Sequence, residues 1–157
     1  MKPRVYIETS VISYLTSRPS RDLVTAANQQ ITREWWEQRR GDFELVVSDY
    51  VAFEVARGDP DAARARVDAI RDIEELPVSA KVDDLAEALC TQGGLPAKAW
   101  VDAFHVAVAA VARVDYLLTW NCTHIANAET LPRIEAICRQ LGFEPPNICT
   151  PMALLGE

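Results

Sequence analysis

Apolar residues in this chain follow two alternating rhythms. Val5-Tyr6-Ile7 is a run of β-formers with no polar alternation, the pattern of a strand covered on both faces of a parallel sheet. It stops at Glu8-Thr9-Ser10, and Val11-Ile12-Ser13-Tyr14-Leu15 continues as an amphipathic, helix-like segment. Glu44-Leu45-Val46-Val47-Ser48 and Tyr116-Leu117-Leu118-Thr119 repeat the form, each an apolar strand that ends in polar residues. Two weaker strands complete the set. Glu75-Leu76-Pro77-Val78 holds a proline and so suits a sheet edge, and Asn147-Ile148-Cys149-Thr150-Pro151 is short.

Between these runs the apolar positions recur at helical spacing. Asp22 to Arg40 carries Leu23, Ala26, Ala27, Ile31 and Trp35 on one stripe and ends in Arg39-Arg40-Gly41. Trp35 and Trp36 are adjacent, so they cannot both face one core. One is expected at the surface, either as a half-exposed aromatic or as a contact for a partner chain. Ser48 or Asp49 caps a helix to about Arg57, stopped by Gly58-Asp59-Pro60. Further helices are predicted over Asp61–Asp72, over Lys81–Thr91 closed by Gly93-Gly94, and from Thr130 and Pro132 through Leu141-Gly142. Ala97 to Arg113 reads as the longest apolar helix. Strands alternating with helices predict an α/β fold, a three-layer α/β/α sandwich with a mostly parallel sheet, in a single domain over 1–157.

Composition narrows the function classes. A hydrophobic share of 49% and a charged share of 25% are those of a soluble globular protein, and the apolar run Val106–Val114 is too short to span a bilayer. With no signal-peptide pattern at the N-terminus, a cytoplasmic protein without membrane attachment is expected. Cys90, Cys122, Cys138 and Cys149 are scattered, and His105 and His124 are the only histidines. The cysteines are therefore read as reduced thiols, mostly core-packed, and zinc is disfavoured. No glycine-rich phosphate loop follows a strand, which argues against a nucleotide cofactor. The formal net charge of −7 argues against tight, passive nucleic-acid binding. It leaves room for an enzyme that meets nucleic acid through metal ions held by carboxylates.

The candidate chemistry lies where the strands stop. Open α/β sheets place ligands at the carboxyl ends of their strands. Glu8 stands at such an end, either as a site carboxylate or as an acidic start to the next helix, with Thr9 or Ser10 as N-cap. In a right-handed parallel arrangement Glu8 and Asn121 end neighbouring strands. Glu54 rises from the helix after the second strand, and Asp102 from the helix that feeds the fourth. Lys98, Asp102 and His105 form one stripe on that helix, so Asp102 is either locally paired or a metal ligand. Carboxylate and amide oxygens converging on one edge are the ligands of a hard cation such as Mg²⁺ or Mn²⁺. His105 either orients Asp102 or packs in the core. His124 either touches a phosphate or lies in a surface turn. Asp115 precedes the fourth strand and belongs to the opposite edge.

In order and spacing, Val5-Tyr6-Ile7-Glu8-Thr9-Ser10, Glu54, Val101-Asp102-Ala103-Phe104-His105-Val106-Ala107 and Leu117-Leu118-Thr119-Trp120-Asn121 resemble the four landmarks of PIN-domain nucleases. The compact size is similar to the toxins of VapC-type toxin–antitoxin pairs. The resemblance implies a five-stranded parallel sheet, Mg²⁺- or Mn²⁺-dependent endoribonuclease activity, a homodimer, and neutralisation by a small antitoxin. It assigns Glu8 and Asp102 as main metal ligands, Glu54 as a direct or water-mediated ligand, and Asn121 as the fourth landmark. A metal-activated water would then attack RNA and leave a 5′-phosphate. Thr9, Ser10 and Thr119 would support the ligands through their hydroxyls. Two departures stand out. Glu8 replaces the usual Asp, which moves a bound metal by roughly a C–C bond length, ~1.5 Å. Asn121 replaces a frequent Asp, which removes one charge.

These departures keep a second hypothesis in play, a catalytically weak or silent PIN-like module that acts by binding a protein partner. A phosphotransfer receiver is a third and weaker one, since no lysine follows the last strand and no strand-end Asp is placed to accept a phosphoryl group.

Overall fold

The computed structural model describes residues 1–156. Five strands, β1 (Arg4–Ile7), β2 (Glu44–Ser48), β3 (Glu74–Leu76), β4 (Tyr116–Leu118) and β5 (Asn147–Cys149), form one sheet in the order β3-β2-β1-β4-β5. All four pairings are parallel, so the sheet is wholly rather than mostly parallel. β1 occupies the centre, as its uninterrupted apolar run requires, with Val5, Tyr6 and Ile7 completely buried. β3, which stops just before Pro77, lies at one edge and β5 at the other.

Among the described residues seven α-helices connect the strands: α1 (Thr9–Thr16), α2 (Leu23–Gln38), α3 (Asp49–Val55), α4 (Pro60–Ile70), α5 (Ala80–Thr91), α6 (Trp100–Val111) and α7 (Leu131–Gln140). They pack in two groups, α1 with α2, α3 and α4, and α5 with α6 and α7, which gives the expected α/β/α layering. Side-chain caps begin several of them. Asp22 accepts from Thr25 N–H, Ser48 from Val51 N–H, and Asp59 from Ala62 N–H with Pro60 at the first helical position. After α5 the chain needs both glycines. Gly93 has φ of +80°, and a Cβ on Gly94 would come within 2.9 Å of Ile137 Cδ1.

Three expectations are corrected. The helix predicted from Ala97 begins at Trp100, because Pro96 to Ala99 closes a separate turn in which Ala99 N–H donates to the Pro96 carbonyl at 2.8 Å. Lys98 therefore lies outside the helix and shares no stripe with Asp102. A short 3₁₀ turn over Pro151–Leu154, absent from the sequence reading, follows β5 and packs on α2. Of the four thiols only Cys138 is buried, with Cys122 exposed and the other two intermediate. Of the tryptophan pair, Trp35 is buried, and Trp36 is half-buried beneath the Arg40 guanidinium, 4.2 Å from its ring centre. Among the described residues no helix is long and apolar enough to cross a membrane.

Candidate active site

The C-terminal edge of the sheet gathers all four landmark residues. β1 ends at Ile7 opposite Leu118 of β4, so Glu8 and the Thr119–Asn121 segment leave the sheet side by side. Glu8 N–H donates to the Leu118 carbonyl at 3.1 Å, extending the ladder by one rung. β2 ends at Ser48, and α3 then carries Glu54 over the same edge; α6 brings Asp102 to it from its first turn.

The Glu8 side chain folds back on its own helix and is itself the N-cap of α1, in place of the expected Thr9 or Ser10. Oε2 accepts the Ser10 backbone N–H at 2.6 Å, while Oε1 accepts the Ser10 hydroxyl at 2.8 Å and the Thr119 hydroxyl at 2.7 Å. Only 6% exposed, this carboxylate has a donor on each oxygen, two on Oε1 and one on Oε2. Ser10 Oγ also accepts the Trp120 N–H at 2.9 Å, and Thr119 Oγ1 accepts the Asn121 N–H at 2.9 Å. These bonds clamp the start of α1 to the end of β4. Trp120 is fixed further by its indole N–H on Thr32 Oγ1 at 2.7 Å and by stacking on Tyr14.

Glu54 receives two donors on one oxygen. The Thr9 hydroxyl reaches Oε1 at 2.7 Å and His105 Nε2 reaches it at 3.0 Å. Burial pushes this carboxyl up, but the hydrogen bonds from His105 and Thr9 outweigh it and leave it below the usual range. His105 therefore serves Glu54 rather than Asp102. Asp102 takes its donors from the loop after β4, with Asn121 Nδ2 on Oδ1 at 3.0 Å and His124 Nδ1 on Oδ2 at 2.8 Å. His124 was expected in a surface turn or on a phosphate. The structure makes it a holder of Asp102, anchored in turn by its N–H on Asn121 Oδ1 at 3.0 Å. Its place three residues after Asn121 was the only sequence signal for this role.

Every predicted site residue thus joins one edge, and Glu8, Thr9, Ser10, Glu54, Asp102, Thr119 and Asn121 all take part in hydrogen bonds there. Among the described residues no Lys or Arg lies within salt-bridge distance of the three acids, and the nitrogen-bearing side chains that reach them are Asn121 and the two histidines. A cleft of about 680 Å³ opens elsewhere, among Arg113, Asp115, Arg139, Glu144 and Asn147, and the three acids lie outside it.

Carboxylate and amide oxygens are the donors a hard divalent cation takes, so the chemistry of the set fits Mg²⁺ or Mn²⁺. In the present arrangement, among the described residues, no three His, Cys, Asp or Glu side chains stand together closely enough to share one ion. Each acid is held by its own protein donors. Glu54 and Asp102 are the more available of the three, with side chains 26% and 21% exposed.

No protein-family model matches this sequence, and no curated protein matches it either. Solved structures do match. The chain is similar to VapBC2 from Rickettsia felis bound to a DNA fragment from its promoter, with TM-score 0.55 and 14% identity over 94% of this chain and 98% of that one. It is also similar to VapC20 of Mycobacterium tuberculosis, a sarcin-ricin loop cleaving toxin, with TM-score 0.57 and 16% identity over 76% of this chain and 92% of that one. The chain therefore has the PIN-type fold of the VapC toxin structures.

Proposed function

We propose that the protein is a divalent-metal-dependent endoribonuclease, the toxin of a toxin–antitoxin pair. One observation carries the proposal: three acids share the ligand-binding edge of the sheet, and no lysine or arginine pairs with any of them. Such an edge has negative charge in excess and attracts a hard cation. The likeness to a sarcin-ricin loop cleaving toxin supports RNA as the polymer that meets it.

Glu8, Asp102 and Glu54 would hold Mg²⁺ or Mn²⁺, with Asn121 beside them. When bound, such an ion lowers the pKa of a water and neutralises the scissile phosphate. The chain's own groups do the rest. Thr119 and Ser10 fix the Glu8 carboxylate, Thr9 fixes Glu54, and Asn121 with His124 fixes Asp102, so the acids enter the reaction already oriented. Because each acid has protein donors, a bound ion would compete with those hydrogen bonds for the carboxylate oxygens.

An antitoxin partner with a basic segment fits the acidic balance, since opposite charge steers the encounter. A homodimer in the cytoplasm completes the proposal. Phe53 and Trp100, 55% and 45% exposed and linked through Tyr50 and Phe104, give α3 and α6 an aromatic surface suited to protein contact.

The test is cleavage of RNA by the purified protein. Activity is expected with Mg²⁺ or Mn²⁺, none with chelator, and none in Asp102→Asn; cleavage that survives both would overturn the assignment. The weak or silent module keeps a foothold because Glu8 is wholly engaged as a helix cap. Saturable Mn²⁺ binding that is lost in Glu54→Gln would rule it out.

A further inference from the structure

Behind Glu54 lies a buried chain of polar groups that core packing does not call for. Tyr6 is in the central strand and completely buried, and His105 is 2% exposed on the most apolar helix. The Tyr6 hydroxyl stands 2.8 Å from Ser48 Oγ and 2.7 Å from His105 Nδ1, while His105 Nε2 stands 3.0 Å from Glu54 Oε1. Three aromatic rings enclose the imidazole: Tyr6 at 5.8 Å, Tyr50 at 6.0 Å and Phe104 at 6.2 Å between centroids. A Phe and a Leu would fill this space without the desolvation that a hydroxyl and an imidazole incur.

With a neutral imidazole, the protons can be arranged in only one way that satisfies all three bonds and leaves Glu54 ionised. Ser48 Oγ already accepts the Val51 N–H at 3.2 Å, so its own hydrogen is free to go to the Tyr6 oxygen. The Tyr6 hydroxyl then donates to Nδ1, and the ring's single N–H, on Nε2, donates to Glu54. The opposite order would point a bare nitrogen at a carboxylate. Both the Thr9 and His105 bonds fall on Oε1, which leaves Oε2 as the oxygen for an outside ligand.

We propose that Ser48, Tyr6 and His105 form a directed hydrogen-bond relay that locks Glu54 in place, with Tyr6 and His105 as positioning residues for the nuclease site. The relay fixes the tautomer of His105 from the core side, and the fixed Nε2–H holds one carboxylate oxygen so that the other faces outward. This role rests on the metal-site proposal for Glu54.

The experiment compares wild type, Tyr6→Phe, His105→Ala, His105→Gln and Glu54→Gln, with circular dichroism and melting as folding controls. Long-range ¹H–¹⁵N spectra of the metal-free protein should show His105 as the Nε2–H tautomer, and Tyr6→Phe should mix the tautomers. Calorimetry with Mn²⁺ and no RNA should show binding weakened on the order of tenfold in His105→Ala, the scale for partners that orient metal ligands. His105→Gln, whose amide can still donate to Glu54, should recover most of the loss, and cleavage should fall in kcat with little change in KM. If His105→Ala does not fold, Tyr6→Phe, which keeps the ring and its volume, carries the comparison. An Nδ1–H tautomer, or wild-type Mn²⁺ affinity in folded His105→Ala or Tyr6→Phe while Glu54→Gln loses it, overturns the relay and leaves the nuclease proposal standing. Absence of both Mn²⁺ binding and cleavage in the wild type overturns the nuclease proposal, and the relay's role with it.

Discussion

At the N-terminal end of the sheet Arg4 sits among acids. Its guanidinium lies 3.8 Å from Glu44 and 3.8 Å from Glu74, and its backbone N–H donates to Asp115 at 2.7 Å. At the C-terminal end Glu8, Glu54 and Asp102 have no such cation, only hydroxyls, amides and two histidines. Both ends of one sheet carry three acids, yet at one end two of them share the guanidinium of Arg4, and at the other no lysine or arginine pairs with any. Exposed pairs of the first kind add little stability. Acids of the second kind are fixed in place with their charge left over, which is the condition a cation site needs. Asp115, set aside from the site on sequence grounds, belongs to the first group, as its position before β4 implies.

The comparison can be broken most sharply at Asp102. Asp102→Asn keeps the side chain's size and an oxygen for one of its two donors from the β4 loop but removes the charge, and cleavage should fall to background in an assay where the fold, by circular dichroism, is unchanged. Next comes Glu8→Ala, which deletes the cap of α1 and the acceptor for Thr119. Losing a cap of this kind costs ~1 kcal/mol and stranding a buried hydroxyl about as much again, so urea unfolding should register a loss of about 2 kcal/mol. Glu44→Ala at the other end removes only an exposed partner of Arg4, and the same measurement should move by less than ~0.5 kcal/mol. A loss as large as that of Glu8→Ala would erase the distinction between the two ends.

The smallest effect is one of pH. Glu54 titrates below the usual glutamate range when folded, because the donated bonds outweigh its burial. A carboxyl depressed by folding contributes stability above its unfolded pKa and loses it as pH falls through the folded one. Wild type should therefore lose stability relative to Glu54→Gln on acidification below the ordinary glutamate range. A difference between the two that does not change with pH would mean that His105 and Thr9 do not hold the ionised form.

What could be read in the chain follows from range. The strands β1, β2 and β4 are legible because each is a short apolar run that must be covered, and the order of β1 and β4 places Glu8 next to Asn121. Glu8 is legible as a carboxylate that closes such a run, and Glu54 and Asp102 as carboxylates on the helices that leave β2 and feed β4. The donors to those acids are not. His105 sits three residues after Asp102, which suggests a local pair, but in the folded chain its ring turns to Glu54, 51 residues away in sequence, because Tyr6 of β1 holds its other nitrogen. His124 looked like a turn residue, and only the folding of its loop over α6 brings it to Asp102. The start of α6 was missed because Ala97 and Lys98 are good helix formers, and propensity does not register the turn closed on Pro96. For Glu8 the two sequence readings were posed as alternatives; the structure shows the carboxylate acting as the cap at the very position proposed for a ligand.

The central claim is that the unneutralised acids of the C-terminal edge bind a hard divalent cation. Calorimetric titration of Mn²⁺ into wild type, Asp102→Asn and Asp115→Asn tests it most directly. Saturable binding is predicted in wild type and in Asp115→Asn, and its loss in Asp102→Asn. Binding that persists unchanged in Asp102→Asn, or that vanishes in Asp115→Asn, would contradict the account.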